Sequence, residues 1–157
     1  MPMKISTQSR YGLRAIFDIA YHSAGQSTQV KDISARQAIS PRYIEQIFQK
    51  LKKAGIIKSI RGPSGGYYLA RKVDEISVGD VVRATEGSIE LVHCTETRKN
   101  GKKACDRIDQ CVVRDVWAEA SDRLMKYLDS VSLQDLCKEA QSKGVERVID
   151  RHLMYYI

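Results

Sequence analysis

No run of about 20 apolar residues, the length a bilayer-spanning helix needs, occurs anywhere in the 157-residue chain. Its start, MPMKISTQSRYG, lacks the apolar core of a signal peptide, so a cytoplasmic location is expected. Cysteine is limited to four residues, and none of them form the C-x-x-C pair on which thiol–disulfide enzymes usually rely. In a cytoplasmic chain four cysteines argue against a disulfide framework and leave metal binding, redox sensing or simple burial. There is no Ser/His/Asp set and no paired-carboxylate motif, and the GPSGG stretch lacks the lysine of a phosphate-binding loop. No enzyme and no small-molecule substrate are therefore expected. Internal repeats and low-complexity tracts are missing too, and the length suits one compact domain with one or two extra helices.

The charge that is present is unevenly placed. Residues 1–75 carry 13 Lys and Arg against 5 Asp and Glu, whereas residues 76–157 carry 13 against 14, so the net charge of +7 comes from the front half. This is the pattern of a polyanion-binding unit (1–75) joined to a neutral module (76–157), although a solvated basic face gives the same count.

Apolar spacing places the elements. Leu13, Ile16, Phe17 and Ala20 fall at i, i+3, i+4, i+7 and predict an amphipathic helix over 9–22, broken by GQSTQ at 25–29. A short helix from Val30 to about Ala38 follows. Ser40-Pro41 is a hydroxyl N-cap before a proline at the first helical position. The helix it starts buries Ile44, Ile47, Phe48 and Leu51, and Gly55 is placed to end it. Two β-like runs, 56–60 and 67–70, flank the turn Arg61-Gly62-Pro63-Ser64-Gly65-Gly66. Ser77 and Ser132 each start a further helix. Between these two, Val113, Val116, Trp117, Ala120, Leu124, Tyr127, Leu128 and Val131 form one apolar stripe over about five turns. That stripe exceeds what a small domain covers, and a second copy of the chain would bury it. Val113, Val116, Trp117, Ala120, Leu124 and Leu128 are the expected dimer contacts. Residues 145–157 read as a helical tail. The expected fold is mainly α with a small hairpin wing: a winged helix-turn-helix plus a long dimerisation helix.

A helix of this kind fits the major groove of B-DNA and reads base edges with its first turns. Arg42, Tyr43, Glu45 and Gln46 occupy those turns; Lys50, Lys52 and Lys53 suit phosphates. Arg61 and Ser64 lie at the hairpin tip among glycines that permit close backbone approach, a geometry suited to a minor groove. Double-stranded DNA is the expected partner, with no membrane involved.

Cys94, Cys105 and Cys111 form C-x10-C-x5-C in or beside a polar loop at about 94–108, within a candidate sensor segment at 94–111. Thiolates ligate iron–sulfur clusters and zinc alike, so spacing alone leaves cluster, zinc, redox thiols and burial open. Cys137 falls on an apolar face with Leu133, Leu136 and Ala140 and reads as core. His22 and His152 have no partner pattern and read as ordinary helix residues.

The stretches KISTQSRYGLRAIFDIA, DISARQAISPRYIEQIFQKLKKAGIIKSIRGPSGGYYLA, VGDVVRATEG and CVVRDVWAEASDRL together resemble the Rrf family of bacterial transcription regulators over about residues 3–135. The family includes iron–sulfur cluster regulator, nitric-oxide-sensing and cysteine-metabolism branches. The resemblance implies a homodimer on a partly palindromic operator, with a recognition helix at 41–54 and a wing at 61–66. It also implies an iron–sulfur cluster, of the [2Fe–2S] type by analogy, held by Cys94, Cys105 and Cys111; the metal-free alternative is control by thiol oxidation or a partner enzyme. Three departures bear on the cluster. The first cysteine gap is longer than usual and contains a basic insert from Arg98 to Lys103. Arg114 stands where the cluster regulator branch has a ligating histidine, and arginine stays protonated. Ser9 or Arg10 stands where the nitric-oxide branch has an aspartate. His93, Asp106, Asp109, Asp115, a residue of the other subunit or an exogenous ligand remain candidates for the fourth position.

Overall fold

The computed structural model describes residues 5–87, 89–95 and 105–149. Among them the chain runs α1 (Thr7–His22), α2 (Val30–Gln37), α3 (Pro41–Lys53), β1 (Ile57–Ile60), β2 (Gly66–Leu69), α4 (Val78–Glu86), a 3-10 turn (His93–Thr95), α5 (Arg114–Ser130) and α6 (Leu133–Ser142). The basic insert at 98–103, His152 and the end of the expected tail lie outside the described residues.

Local chemistry accounts for the element boundaries. The Ser40 hydroxyl accepts from the Tyr43 N–H with Pro41 in the first turn, satisfying one of the donors a helix start leaves unpaired. At the other end of α3, Gly55 adopts φ 72°. The Gly55 N–H then donates to Lys52 O and the Ile56 N–H to Leu51 O, both at 3.0 Å, a complete Schellman closure. Reciprocal Ser–Asp capping boxes open α4 (Ser77 and Asp80) and α6 (Ser132 and Asp135).

One apolar cluster joins these elements. Ile16 and Ile19 of α1, Ile33 of α2, Ile44, Ile47, Phe48 and Leu51 of α3, Ile57 of β1, Val81 of α4 and Leu133 of α6 are all buried in it. Truncating Ile47 or Leu51 to Ala is expected to cost about 2–5 kcal/mol. The hairpin pairs Ile57 with Leu69 and Ile60 with Gly66 in antiparallel register. Thr28 extends it as a third short edge, exchanging both backbone hydrogen bonds with Tyr67 at 2.8 and 2.9 Å.

Two sequence expectations need correction. On α1 the fully buried face is Ser9, Gly12, Ala15, Ile16 and Ile19, not the Leu13/Ile16/Phe17/Ala20 stripe. Leu13 and Ala20 pack at the core's edge, and Phe17 stacks on Tyr21 with ring centroids 5.3 Å apart. The rotation brings small residues into a close helix crossing, where a Cβ on Gly12 would stand 3.2 Å from both Ile47 and Thr85. The tail is not helical from 145 to 149. Gly144, at φ 69°, closes α6, and the next residues bond to the end of α1 instead of to one another. The Tyr21 hydroxyl donates to Val145 O at 2.6 Å, Arg147 Nε to Tyr21 O at 2.6 Å, and the Val148 N–H to His22 Nδ1 at 3.0 Å.

Candidate nucleic-acid interface and cysteine segment

The sequence of α3 divides its two faces cleanly. With Ile44, Ile47, Phe48 and Leu51 turned into the core, Arg42, Glu45, Gln46, Gln49 and Lys53 are exposed on the opposite side. Tyr43 is half-buried and meets Tyr11 edge-on at 5.8 Å. Arg14 lies over that Tyr11 ring at 5.4 Å and hydrogen-bonds to the Gln37 carbonyl, so α1 and α2 brace the first turn of α3.

Two of the helix's lysines, both exposed, hydrogen-bond to other elements of the chain. The Lys50 ammonium donates to Gln8 Oε1 at 2.5 Å and to the Thr85 carbonyl at 3.0 Å. Lys52 donates to the Ser59 hydroxyl at 2.7 Å. These contacts tie α3 to α1, α4 and β1, and periodicity gives no sign of them because each partner lies on another element.

The wing projects beside α3, with Arg61, Gly62, Pro63 and Ser64 exposed. Two glycines make its tight return possible. A Cβ on Gly65 would lie 2.4 Å from the Ile60 carbonyl, and one on Gly66 would lie 2.4 Å from the Thr28 carbonyl. The tip is also held from outside the hairpin, by Ser27 donating to Ser64 O and Gln29 donating to Pro63 O. The sequence had marked 25–29 only as a helix break.

The three candidate ligands are spread along irregular backbone. Cys94 is half-buried in the 3-10 turn, Cys105 is exposed, and Cys111 is half-buried three residues before α5 begins. All are free thiols, and among the described residues no group of His, Cys, Asp and Glu comes together in a form that holds a metal ion. As donors the thiols suit an iron–sulfur cluster, and the irregular backbone leaves their approach unconstrained by helix geometry. Arg114 does not supply a fourth ligand. Its guanidinium borders an open hollow of about 460 Å³ shared with Cys111, Asp109 and Asp115, and its Nε is buried with no hydrogen-bond partner among the described residues. Ser9 is turned inward, its hydroxyl 2.7 Å from that of Thr85, and so is unavailable as a ligand. Cys137 is half-buried, and burial pushes its thiol pKa up against the opposing charge of Arg147.

On α5 the only buried residue is Ser121, which accepts from the Leu91 N–H and donates to the Trp117 carbonyl. Val113, Val116, Trp117 and Tyr127 are exposed, Trp117 by 44% and Val116 by 62%, while Ala120, Leu124 and Leu128 are half-buried.

Three packed helices, the third capped and basic, and a two-stranded wing define a winged helix-turn-helix protein, here joined to a helix with an uncovered apolar face. The model of the Rrf2 family, described as an iron-dependent transcriptional regulator, matches residues 5–139, and the chain belongs to that family. The chain is 39% identical over 149 residues to the HTH-type transcriptional regulator IscR of Aliivibrio salmonicida, covering 95% of this chain and 84% of that protein. It is 42% identical over 138 residues to the protein rrf2 of Nitratidesulfovibrio vulgaris, covering 88% and 89%. Among solved structures, T. potens IscR superposes with a TM-score of 0.73 at 35% identity, covering 99% of this chain and 98% of that one. The B. subtilis global cysteine regulator CymR superposes with a TM-score of 0.69 at 34% identity, covering 87% and 98%. The chain is thus a transcriptional regulator by family, not an enzyme.

Proposed function

We propose that the chain is a cytoplasmic, homodimeric DNA-binding regulator whose operator affinity responds to the state of Cys94, Cys105 and Cys111. The observation that carries the reading is the pairing of an outward basic face on α3 with an uncovered apolar stripe on α5. A dimer built on α5 presents two recognition helices to successive half-sites. Arg42, Glu45 and Gln46 read base edges, Tyr43 packs beside them, and Arg61 and Ser64 follow the backbone or minor groove. In this division residues 1–75 contact DNA and 76–157 pair the chains, with a core shared through Leu133 and Val81.

Regulation follows from how α5 is held. Its C-terminal end is fixed to α4, which shares the core of the DNA-binding part through Val81: Val78 N–H donates to Val131 O, Leu133 N–H to Ile76 O, and Arg83 to Asp129. At its N-terminal end, next to Cys111, Asp115, Val116 and Trp117 of the first turn are exposed. A change that orders or loosens the 94–111 segment would therefore tilt α5 about its fixed end and alter the spacing of the two recognition helices. Cys94, Cys105 and Cys111 would hold an iron–sulfur cluster, [2Fe–2S] by analogy with the relatives named as IscR, with a fourth ligand from outside this set. When bound, the cluster supplies redox and nitrosative reactivity.

The similarity to CymR favours a second reading, a metal-free regulator of the same fold controlled by thiol oxidation or a partner enzyme. Anaerobic purification with visible absorption, iron and sulfide assay separates the two. Stoichiometric iron and sulfide support the first reading, and a colourless, iron-free protein that binds DNA supports the second. Replacing Cys105 and Cys111 together with Ser should abolish sensing and leave the fold intact, since neither is in the core. A double variant that still responded to iron, nitric oxide or oxidant would contradict a sensor role for this segment.

A further inference from the structure

The connection between α1 and α2 bears on the wing at three successive residues. Thr28 pairs with Tyr67 through its backbone. Ser27 and Gln29, two residues apart in an extended segment, present their side chains to the same side. There the Ser27 hydroxyl donates to the Ser64 carbonyl at 3.2 Å and the Gln29 amide to the Pro63 carbonyl at 3.3 Å. Gln29 is the N-cap residue of α2 yet makes no side-chain bond to that helix, so its amide is spent on the wing.

The consequence is orientational. The wing tip contains no cis peptide, and in a trans peptide the carbonyl and the following N–H point in opposite directions. Fixing the Pro63 carbonyl on Gln29 therefore turns the Ser64 N–H away from the α1–α2 connection. It also keeps two carbonyl oxygens, which phosphates repel, from facing outward at the tip. Arg61, three residues before Ser64, is exposed on this tethered loop.

Building on the reading that the wing meets DNA, we infer that Ser27 and Gln29 are positioning residues for DNA recognition. They hold the wing-tip peptide planes so that the Arg61 guanidinium and the Ser64 N–H face the DNA backbone or minor groove. They touch no DNA themselves and act through the tip.

The test is a double-mutant cycle on the full-length dimer, purified anaerobically. The probe is a duplex of about 30 base pairs, enough for two half-sites, enriched by the wild-type chain from a random-sequence pool. The Ser27→Ala/Gln29→Ala variant should bind this probe about tenfold more weakly when Arg61 is present, and less than about twofold more weakly in an Arg61→Ala background. The slope of log affinity against log salt should fall by about one, as it should for Arg61→Ala alone. Ser27→Thr keeps the hydroxyl donor and should retain affinity. Gln29→Glu keeps the shape, removes the donor and should lose affinity, which also serves if the double variant is poorly folded. Equal losses in both backgrounds, no loss from the double variant, or no loss from Arg61→Ala would each overturn the inference. Failure to enrich any duplex would instead overturn the DNA-binding reading beneath it.

Discussion

The Arg83 guanidinium donates to both carboxylate oxygens of Asp129, at 3.0 and 2.6 Å, and so clamps α4 to the C-terminal end of α5. Gly79 makes the clamp possible. A Cβ there would stand 1.9 Å from the Asp129 carboxylate and 3.1 Å from its backbone nitrogen. Gly79→Ala should therefore push the two helices apart and destabilise the protein by about 1–3 kcal/mol, the usual effect of overpacking. Asp129→Ala breaks a half-exposed pair and should cost less than about 1 kcal/mol. Urea denaturation of both variants checks the order; a Gly79→Ala midpoint equal to that of the parent would contradict the close crossing.

Lys50 and Arg42 share one helix but should fail differently. Lys50, though exposed like Arg42, hydrogen-bonds to Thr85 and Gln8, whereas Arg42 stands at the start of α3 on its outward face. Lys50→Ala should lower stability by about 0.5–1.5 kcal/mol, the net worth of an ordinary hydrogen bond, because the ammonium is exposed to solvent. Arg42→Ala should leave the melting midpoint in place and weaken binding to a selected duplex. A calorimetric and a binding series on the two variants decides; a Lys50→Ala protein with unchanged stability would show that the tether carries no weight.

The exposed stripe on α5 gives the clearest oligomer prediction. Trp117→Glu introduces a charge on a face that is open in the single chain, so the fold should survive while the pairing of two chains is lost. Sedimentation should show a dimer for the parent and a monomer with native circular dichroism for the variant. A variant that stays dimeric would place the interface elsewhere.

Acid should weaken the α4 start in a predictable direction. Burial alone would raise the Asp80 pKa, but the Ser77 N–H, the hydrogen bond from Arg83 and the charges of Arg71 and Arg83 outweigh it and hold it below its usual value. Glu86 is lowered in the same way, burial being overcome by hydrogen bonds from Ser9 and Ser6 and by the Lys50 charge. A carboxylate whose folded pKa is depressed stabilises the protein above its unfolded pKa, and that contribution is lost as pH falls through the folded value. Stability should thus be level from about pH 7 to about 5 and decline below that range. Asp80→Asn should be less stable at neutral pH and decline less steeply. An unchanged acid profile in Asp80→Asn would contradict the assignment.

How far the sequence could be read depended on whether an interaction was local. The limits of α3 follow from Ser40, Pro41 and Gly55, and its buried face from four apolar residues at helical spacing; the structure reproduces both. The face of α1 was not legible, because Ser9 meets Thr85 from 76 positions away and Asp18, fully buried, is held by Arg36 and Gln37 of α2. Polar residues with distant partners look like solvent-facing ones in a periodicity plot. Likewise the segment after Gly144 reads as helix until Tyr21 and His22 are seen to take its backbone bonds while Arg147 donates to the Tyr21 carbonyl. The roles of Ser27 and Gln29 were hidden for the same reason. The three cysteines were visible by spacing, but a fourth ligand for the proposed cluster has no local signal at all.

The most direct test compares the affinity of the dimer for a duplex it selects from a random pool with its affinity for the same bases shuffled, both at about 150 mM salt. The account predicts that the selected duplex binds at least about a thousandfold more tightly, with a steep salt dependence. Equal affinity for the two duplexes would contradict it.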